Sequence, residues 1–134
     1  MPRTIAPFAS GAYRVQVIIG GSKLRLTLDG LVDTGFTGFM LLPISMAIPL
    51  GLELDGLSEY TTADGTRQDW PTARATIEFQ QQLLERSITL AYTGDEILLG
   101  LGFLTAFQQS LIIHRNQVLL MDESDLYASL SGLH

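Results

Sequence analysis

The sequence predicts a mainly-β domain, built as a barrel or a sandwich, with one or two short helices. Three observations carry this. Apolar and polar residues alternate along the first third of the chain, the period of a half-buried strand. Turn residues punctuate the apolar runs at short intervals. The 134 residues, 46% apolar and 16% charged, suffice for one domain with a core and do not have the composition of a disordered chain.

The elements follow in order. Tyr13, Val15, Val17 and Ile19 share one strand face, and Gly20-Gly21-Ser22 turns a hairpin. Leu24, Leu26 and Leu28 then alternate with Lys23, Arg25, Thr27 and Asp29. A bend at Asp29-Gly30 leads into Leu31-Val32-Asp33. Residues 43–47 open a short helix, with Pro43 tolerated at its first turn and Pro49 and Gly51 ending it. Residues 57–79 form a long hairpin whose tip, Asp64-Gly65, is the strongest short-range turn signal in the chain. A second hairpin joins residues 76–79 to 83–90 through glutamines 80–82, and residues 92–95 turn again. Residues 102–109 form a short helix. Residues 111–113 and 118–120 pair around a turn at 114–117. The tail, 122–134, is weakly patterned and receives no element; it is either flexible or packed against a partner.

Composition narrows the function. There is no cysteine, which excludes disulfides and thiolate zinc sites. The net charge of −6, with eight scattered cations, gives no basic face for nucleic acid or an anionic membrane. The start lacks a signal-peptide core and no run reads as a membrane span, so a soluble, cytoplasmic protein is expected. The two histidines, His114 and His134, form no metal-ligand spacing, and no Gly-x-Ser-x-Gly elbow occurs. Gly100-Leu101-Gly102 imitates the start of a dinucleotide fingerprint, but the third glycine is replaced by Thr105 and the preceding pattern is hairpins, not βαβ units. No metal and no cofactor is expected.

One carboxylate stands apart. Asp33, in Leu-Val-Asp-Thr-Gly-Phe-Thr-Gly, sits in an apolar stretch, with no lysine or arginine between Arg25 and Arg67. By composition alone Asp-Thr-Gly is a turn. Its place at the end of an apolar strand predicts a buried carboxylate instead, and an unpaired one is costly. Two such carboxylates sharing a proton form an acid/base pair able to hydrolyse an amide without a metal. Asp-Thr-Gly occurs once, so a second copy of the chain must bring the second acid.

This segment resembles the active-site loop of the retropepsin-like aspartic proteases, in particular their small bacterial relatives. Leu98-Leu99-Gly100 resembles the family's hydrophobic-hydrophobic-Gly segment, and the hairpin tip lies between the two, where the family has its flap. The resemblance implies a closed β-barrel-like acid-protease fold with one or two short helices, assembled as a two-fold homodimer. The resemblance covers residues 13–121 as the protease domain and leaves outside it an N-terminal arm at 1–12 and a tail at 122–134, flexible or at the dimer interface. It makes Asp33 the catalytic residue. Thr34 would tie the two loops across the symmetry axis, Gly35 would admit close backbone approach, and Thr37 belongs to the same loop. Ala63, Asp64, Gly65 and Thr66 would close over an extended peptide by backbone hydrogen bonds. Leu98, Leu99 and Gly100 would pack beneath the loop. Three positions depart from the pattern. Thr37 stands where viral enzymes often carry an acid, Phe36 where pepsin-type enzymes carry a hydroxyl, and the flap tip is more polar than in viral relatives. Tyr60 and Trp70 read as packing residues of the flap. The implied activity is an aspartic endopeptidase acting on peptides or proteins. The alternative is a peptide-binding or dimerisation module of the same fold without useful turnover.

Overall fold

The structure is a computed structural model and describes residues 3–7 and 13–131. The rest of the expected N-terminal arm, and residues 132–134 of the expected tail, lie outside the described residues.

Alternation produces the first hairpin. Strand β2 (Arg14–Gly20) pairs antiparallel with β3 (Arg25–Val32), from Arg14↔Leu31 to Gly20↔Arg25. Val17 and Ile19 are fully buried, and Tyr13 and Val15 pack on the same core. Leu24 departs from the expected face. It belongs to the turn, where its carbonyl accepts the Gly21 N–H at 3.0 Å, and it is largely exposed. The expected bend at Asp29-Gly30 is also absent, because β3 runs straight through both residues. Gly30 is glycine for a packing reason: a Cβ there would stand 2.6 Å from a Leu99 methyl carbon.

Strand β4 (Met40–Pro43) is buried throughout. A 3-10 turn at Ile44–Met46 and helix α1 (Ala47–Leu50) follow, so the helix lies a few residues later than the sequence predicts. Pro43 still belongs to the strand. Pro49 falls within the first turn of α1, where its missing N–H costs nothing. Gly51, at φ 74°, ends the helix and donates its N–H back to Ala47 and Ile48.

Strands β5 (Glu53–Thr61) and β6 (Arg67–Phe79) form the long hairpin. β6 and β7 (Gln82–Ala91) turn through Gln80 and Gln81, both left-handed, as a two-residue hairpin requires. Then come β8 (Ile97–Leu99), helix α2 (Leu101–Ala106), β9 (Gln109–His114) and β10 (Gln117–Asp122). Helix α2 stops earlier than expected, since Gln108 adopts φ 55° and Gln109 already begins β9.

The strands close on themselves. The order β2-β3-β8-β4-β7-β6 returns to β2 through Ile18↔Glu78 and its neighbours, giving a six-stranded barrel with β5 as an outer strand. Two of its pairings, β3–β8 and β4–β7, are parallel. A separate three-stranded sheet sets β1 (Arg3–Pro7) beside β10 and β9. Helix α3 (Glu123–Ser131) occupies the tail to which the sequence assigned no element. The core centres on Phe79, Phe103 and Phe107, whose ring centroids lie 4.8 to 5.5 Å apart in tilted and edge-on contacts. Among the described residues no helix is long and apolar enough to cross a membrane.

Candidate active site

Parallel pairing of β3 with β8 delivers Asp33. Val32 aligns with Leu99 at the ends of the two strands, and the Asp33 N–H donates to the Leu99 carbonyl at 2.9 Å. The chain then leaves the sheet in a tight turn, with the Phe36 N–H bonded to the Asp33 carbonyl at 3.1 Å. The segment after β8 clamps that turn from below. Gly100 donates to the Phe39 carbonyl at 3.1 Å, Leu101 to Phe36 at 2.9 Å and Gly102 to Gly38 at 3.0 Å. These bonds fix the backbone on both sides of Asp33.

The Asp33 carboxylate accepts the Gly35 N–H at 2.9 Å. It is half-buried, not buried as the sequence predicted. Its apolar neighbours Val32 and Met40 are buried in the barrel core and Leu41 in a second cluster with Trp70, while the residue after β3 turns toward a cleft. The cleft holds about 420 Å³. Its floor is Asp33, Gly35, Phe36, Thr37 and Gly38; its walls are Ser58, Glu59, Tyr60 and Thr61 of β5 and Thr89 of β7.

The β5–β6 hairpin forms the overhanging wall, and aromatic rings fasten it to the loop. Phe36 meets Tyr60 at 6.2 Å, Tyr60 stacks on Trp70 at 4.3 Å and 9°, and Trp70 meets Tyr92 edge-on at 6.2 Å. Trp70 also donates its indole N–H to Gln68 at 2.8 Å. A small cluster of Leu41, Trp70 and Ala91, with Phe36, Tyr60 and Leu98 against it, anchors the base of the hairpin. At its tip Asp64 accepts the Thr62 hydroxyl and the Thr66 N–H, and Gly65 adopts φ 85°. The Thr62 hydroxyl and the Thr66 N–H hold the Asp64 carboxyl down to about 2.

The structure therefore gathers Asp33, Gly35 and Thr37 in the cleft floor, with Thr34 exposed beside them. Leu98 and Leu99 lie in β8, and Gly100 lies directly under the loop. Ala63, Asp64, Gly65 and Thr66 are exposed at the hairpin tip and do not line the cleft of the single chain. Sequence reasoning missed Ser58, Glu59, Thr61 and Thr89 as wall residues. The first three follow from the hairpin once its register is known. Thr89 has no local signal, because it arrives through the parallel β4–β7 pairing beside Leu41.

No protein-family model matches the sequence, and no curated protein matches it. Solved structures do. EIAV protease complexed with the inhibitor HBY-793 superposes with a TM-score of 0.66 at 15% identity, covering 81% of this chain and 100% of that one. A retropepsin-like aspartic protease from Rickettsia conorii superposes with a TM-score of 0.61 at 19% identity, covering 90% of each. The chain has the retropepsin-like fold.

Proposed function

We propose that this chain, with its retropepsin-like fold, is an aspartic endopeptidase active as a homodimer, each copy placing Asp33 in one shared site. The observation that carries the reading is the seat of Asp33: a carboxylate held by a doubly clamped loop at the floor of a cleft, beneath an aromatic-anchored hairpin. A single chain offers one Asp-Thr-Gly, so the acid/base pair needs the second copy.

Two carboxylates at hydrogen-bond distance hold one proton between them. The ionised member takes a proton from a water as its oxygen adds to the scissile carbonyl carbon. The protonated member donates to the carbonyl oxygen, which becomes a hydroxyl of the tetrahedral intermediate. The carboxyl that took the water proton passes it to the amide nitrogen, the other carboxylate takes a hydroxyl proton, and the C–N bond breaks to release the amine and the new carboxylic acid, restoring the pair. Thr34, exposed at the loop, bonds the partner loop across the two-fold axis in this reading. Gly35 leaves room for substrate backbone beside the carboxylate it bonds. Residues Ala63, Asp64, Gly65 and Thr66 close over the peptide once two hairpins face each other, and exclusion of water strengthens the hydrogen bonds beneath them.

The test is a peptide library incubated with wild-type protein and with Asp33→Asn, with and without a statine-type inhibitor, alongside a solution mass. Inhibitor-sensitive cleavage by a dimer, lost in the variant, supports the reading. Cleavage that survives the substitution removes Asp33 from the chemistry.

A further inference from the structure

The cleft has a composition of its own. Among the described residues no lysine, arginine or histidine lines it. Its charged members are the carboxylates Asp33 and Glu59, and the hydroxyl side chains of Thr37, Ser58, Thr61 and Thr89 line it with them. Two aromatic rings, Phe36 and Tyr60, complete the wall, and Tyr60 is held in place by its 4.3 Å stack on Trp70. Ring faces carry negative potential, so each element of this wall suits a cation.

The hairpin above reinforces the sign. Between Glu53 and Asp69 it carries five carboxylates and one guanidinium, Arg67. Glu59 stands directly across from Asp69, a like-charge pair. Arg67 approaches Glu59 at 3.5 Å, but both side chains are mostly exposed, at 76% and 59%, so water screens the contact. A cleft lined by one sign of charge concentrates counter-charged ligands.

We propose that this cleft selects peptides with an arginine or lysine side chain beside the scissile bond, and that Glu59 and Tyr60 are the residues that select it. The cation lies over the Tyr60 ring, with Glu59 and the wall hydroxyls taking its N–H donors. The inference rests on the peptidase reading for what the site does with the peptide, but not for how tightly the peptide binds.

The test separates the two. Fluorescein-labelled octapeptides are made in pairs that differ only in arginine against citrulline, its uncharged isostere, at each position in turn. Their affinity for the intact Asp33→Asn protein is read by anisotropy. At one or two positions arginine binds about tenfold tighter, the combined effect of one cation–π contact and one part-exposed charge pair. Glu59→Gln and Tyr60→Leu each pull that ratio toward one, while Tyr60→Phe, which keeps the ring, restores it. Equal binding of every pair, binding of neither member, or a ratio unmoved in both variants overturns the proposal. If arginine is preferred yet wild-type protein cuts no peptide, the peptidase reading falls and the cation selectivity stands. If wild-type protein cuts both members of every pair while they bind alike, the reverse holds.

Discussion

Gly100 lies so close beneath Gly38 that a Cβ on Gly100 would overlap the Gly38 carbonyl oxygen. The carbonyl of Phe36 and its ring close the same space. The same Gly38 carbonyl accepts the Gly102 N–H at 3.0 Å. Two glycines thus let the start of α2 slide under the Asp33 loop, and the loop's position is a packing consequence of missing side chains.

Gly100→Ala is therefore expected to push the loop away, because backbone atoms, not a flexible side chain, block the methyl. Overpacking of this kind costs about 1–3 kcal/mol, and more where backbone must move. Gly102→Ala, whose Cβ would sit 3.0 Å from Gly38 backbone, should cost less. Urea unfolding of the two variants gives the order. Equal, near-zero losses would remove the clamp as the device that seats Asp33.

Asp33→Asn tests the chemistry apart from the fold. Asparagine keeps the oxygen that accepts the Gly35 N–H, so the loop and the melting temperature should be preserved. It cannot act as base or shared-proton acid, and loss of such a group costs about 10²–10⁴-fold in rate. Cleavage of a fluorogenic peptide and thermal melting, measured on the same preparation, check both halves.

The pH profile has two independent parts. A carboxylate pair that needs one proton should give a bell with its maximum on the acid side of neutrality, and activity that keeps rising above pH 8 would contradict it. The hairpin tip follows a different carboxyl. Asp64 is lowered from 3.8 to about 2 by the Thr62 hydroxyl and the Thr66 N–H. A depressed carboxyl contributes its order above the unfolded value and loses it as pH falls through the folded one. The tip should thus stay ordered through the acid optimum and loosen near pH 2. Amide exchange at Thr66, corrected for intrinsic rate, should show constant protection from pH 4 to 6 in wild type and little in Asp64→Ala.

What could be read from the sequence follows the range of each interaction. Val17 and Ile19 revealed a strand because their burial repeats every second residue along one segment. Asp64-Gly65 revealed a hairpin tip because a left-handed glycine is a local requirement. The parallel pairings of β3 with β8 and β4 with β7 join distant segments and leave no local pattern, so the wall residue Thr89 could not be read, and the closed barrel was expected through the family resemblance and not from any local signal. Gly30 imitated a bend because glycine looks the same whether it turns the chain or admits Leu99. The burial of Asp33 was overestimated for a related reason. Val32 before it is buried, but the chain leaves the sheet at Asp33 and Thr34 is already exposed, and leaving is a property of the β3–β8 ends, not of composition.

Trp70 supplies the last prediction. It is the sole tryptophan, it is buried, and it stacks on Tyr60, which in turn meets Phe36 of the Asp33 loop. Its fluorescence therefore reports on the packing of hairpin against loop. Phe36→Ala removes the ring that joins the two, opens the cleft side of the stack, and should shift Trp70 emission to the red. Phe36 is half-buried at the cleft, so the stability loss should fall below the about 3–5 kcal/mol of a core aromatic deletion. Phe103→Ala, in the fully buried aromatic core, should show the opposite balance: the full loss of stability, with native-state Trp70 emission little changed. If Phe36→Ala leaves the emission where it was, the rings touch without coupling the hairpin to the loop.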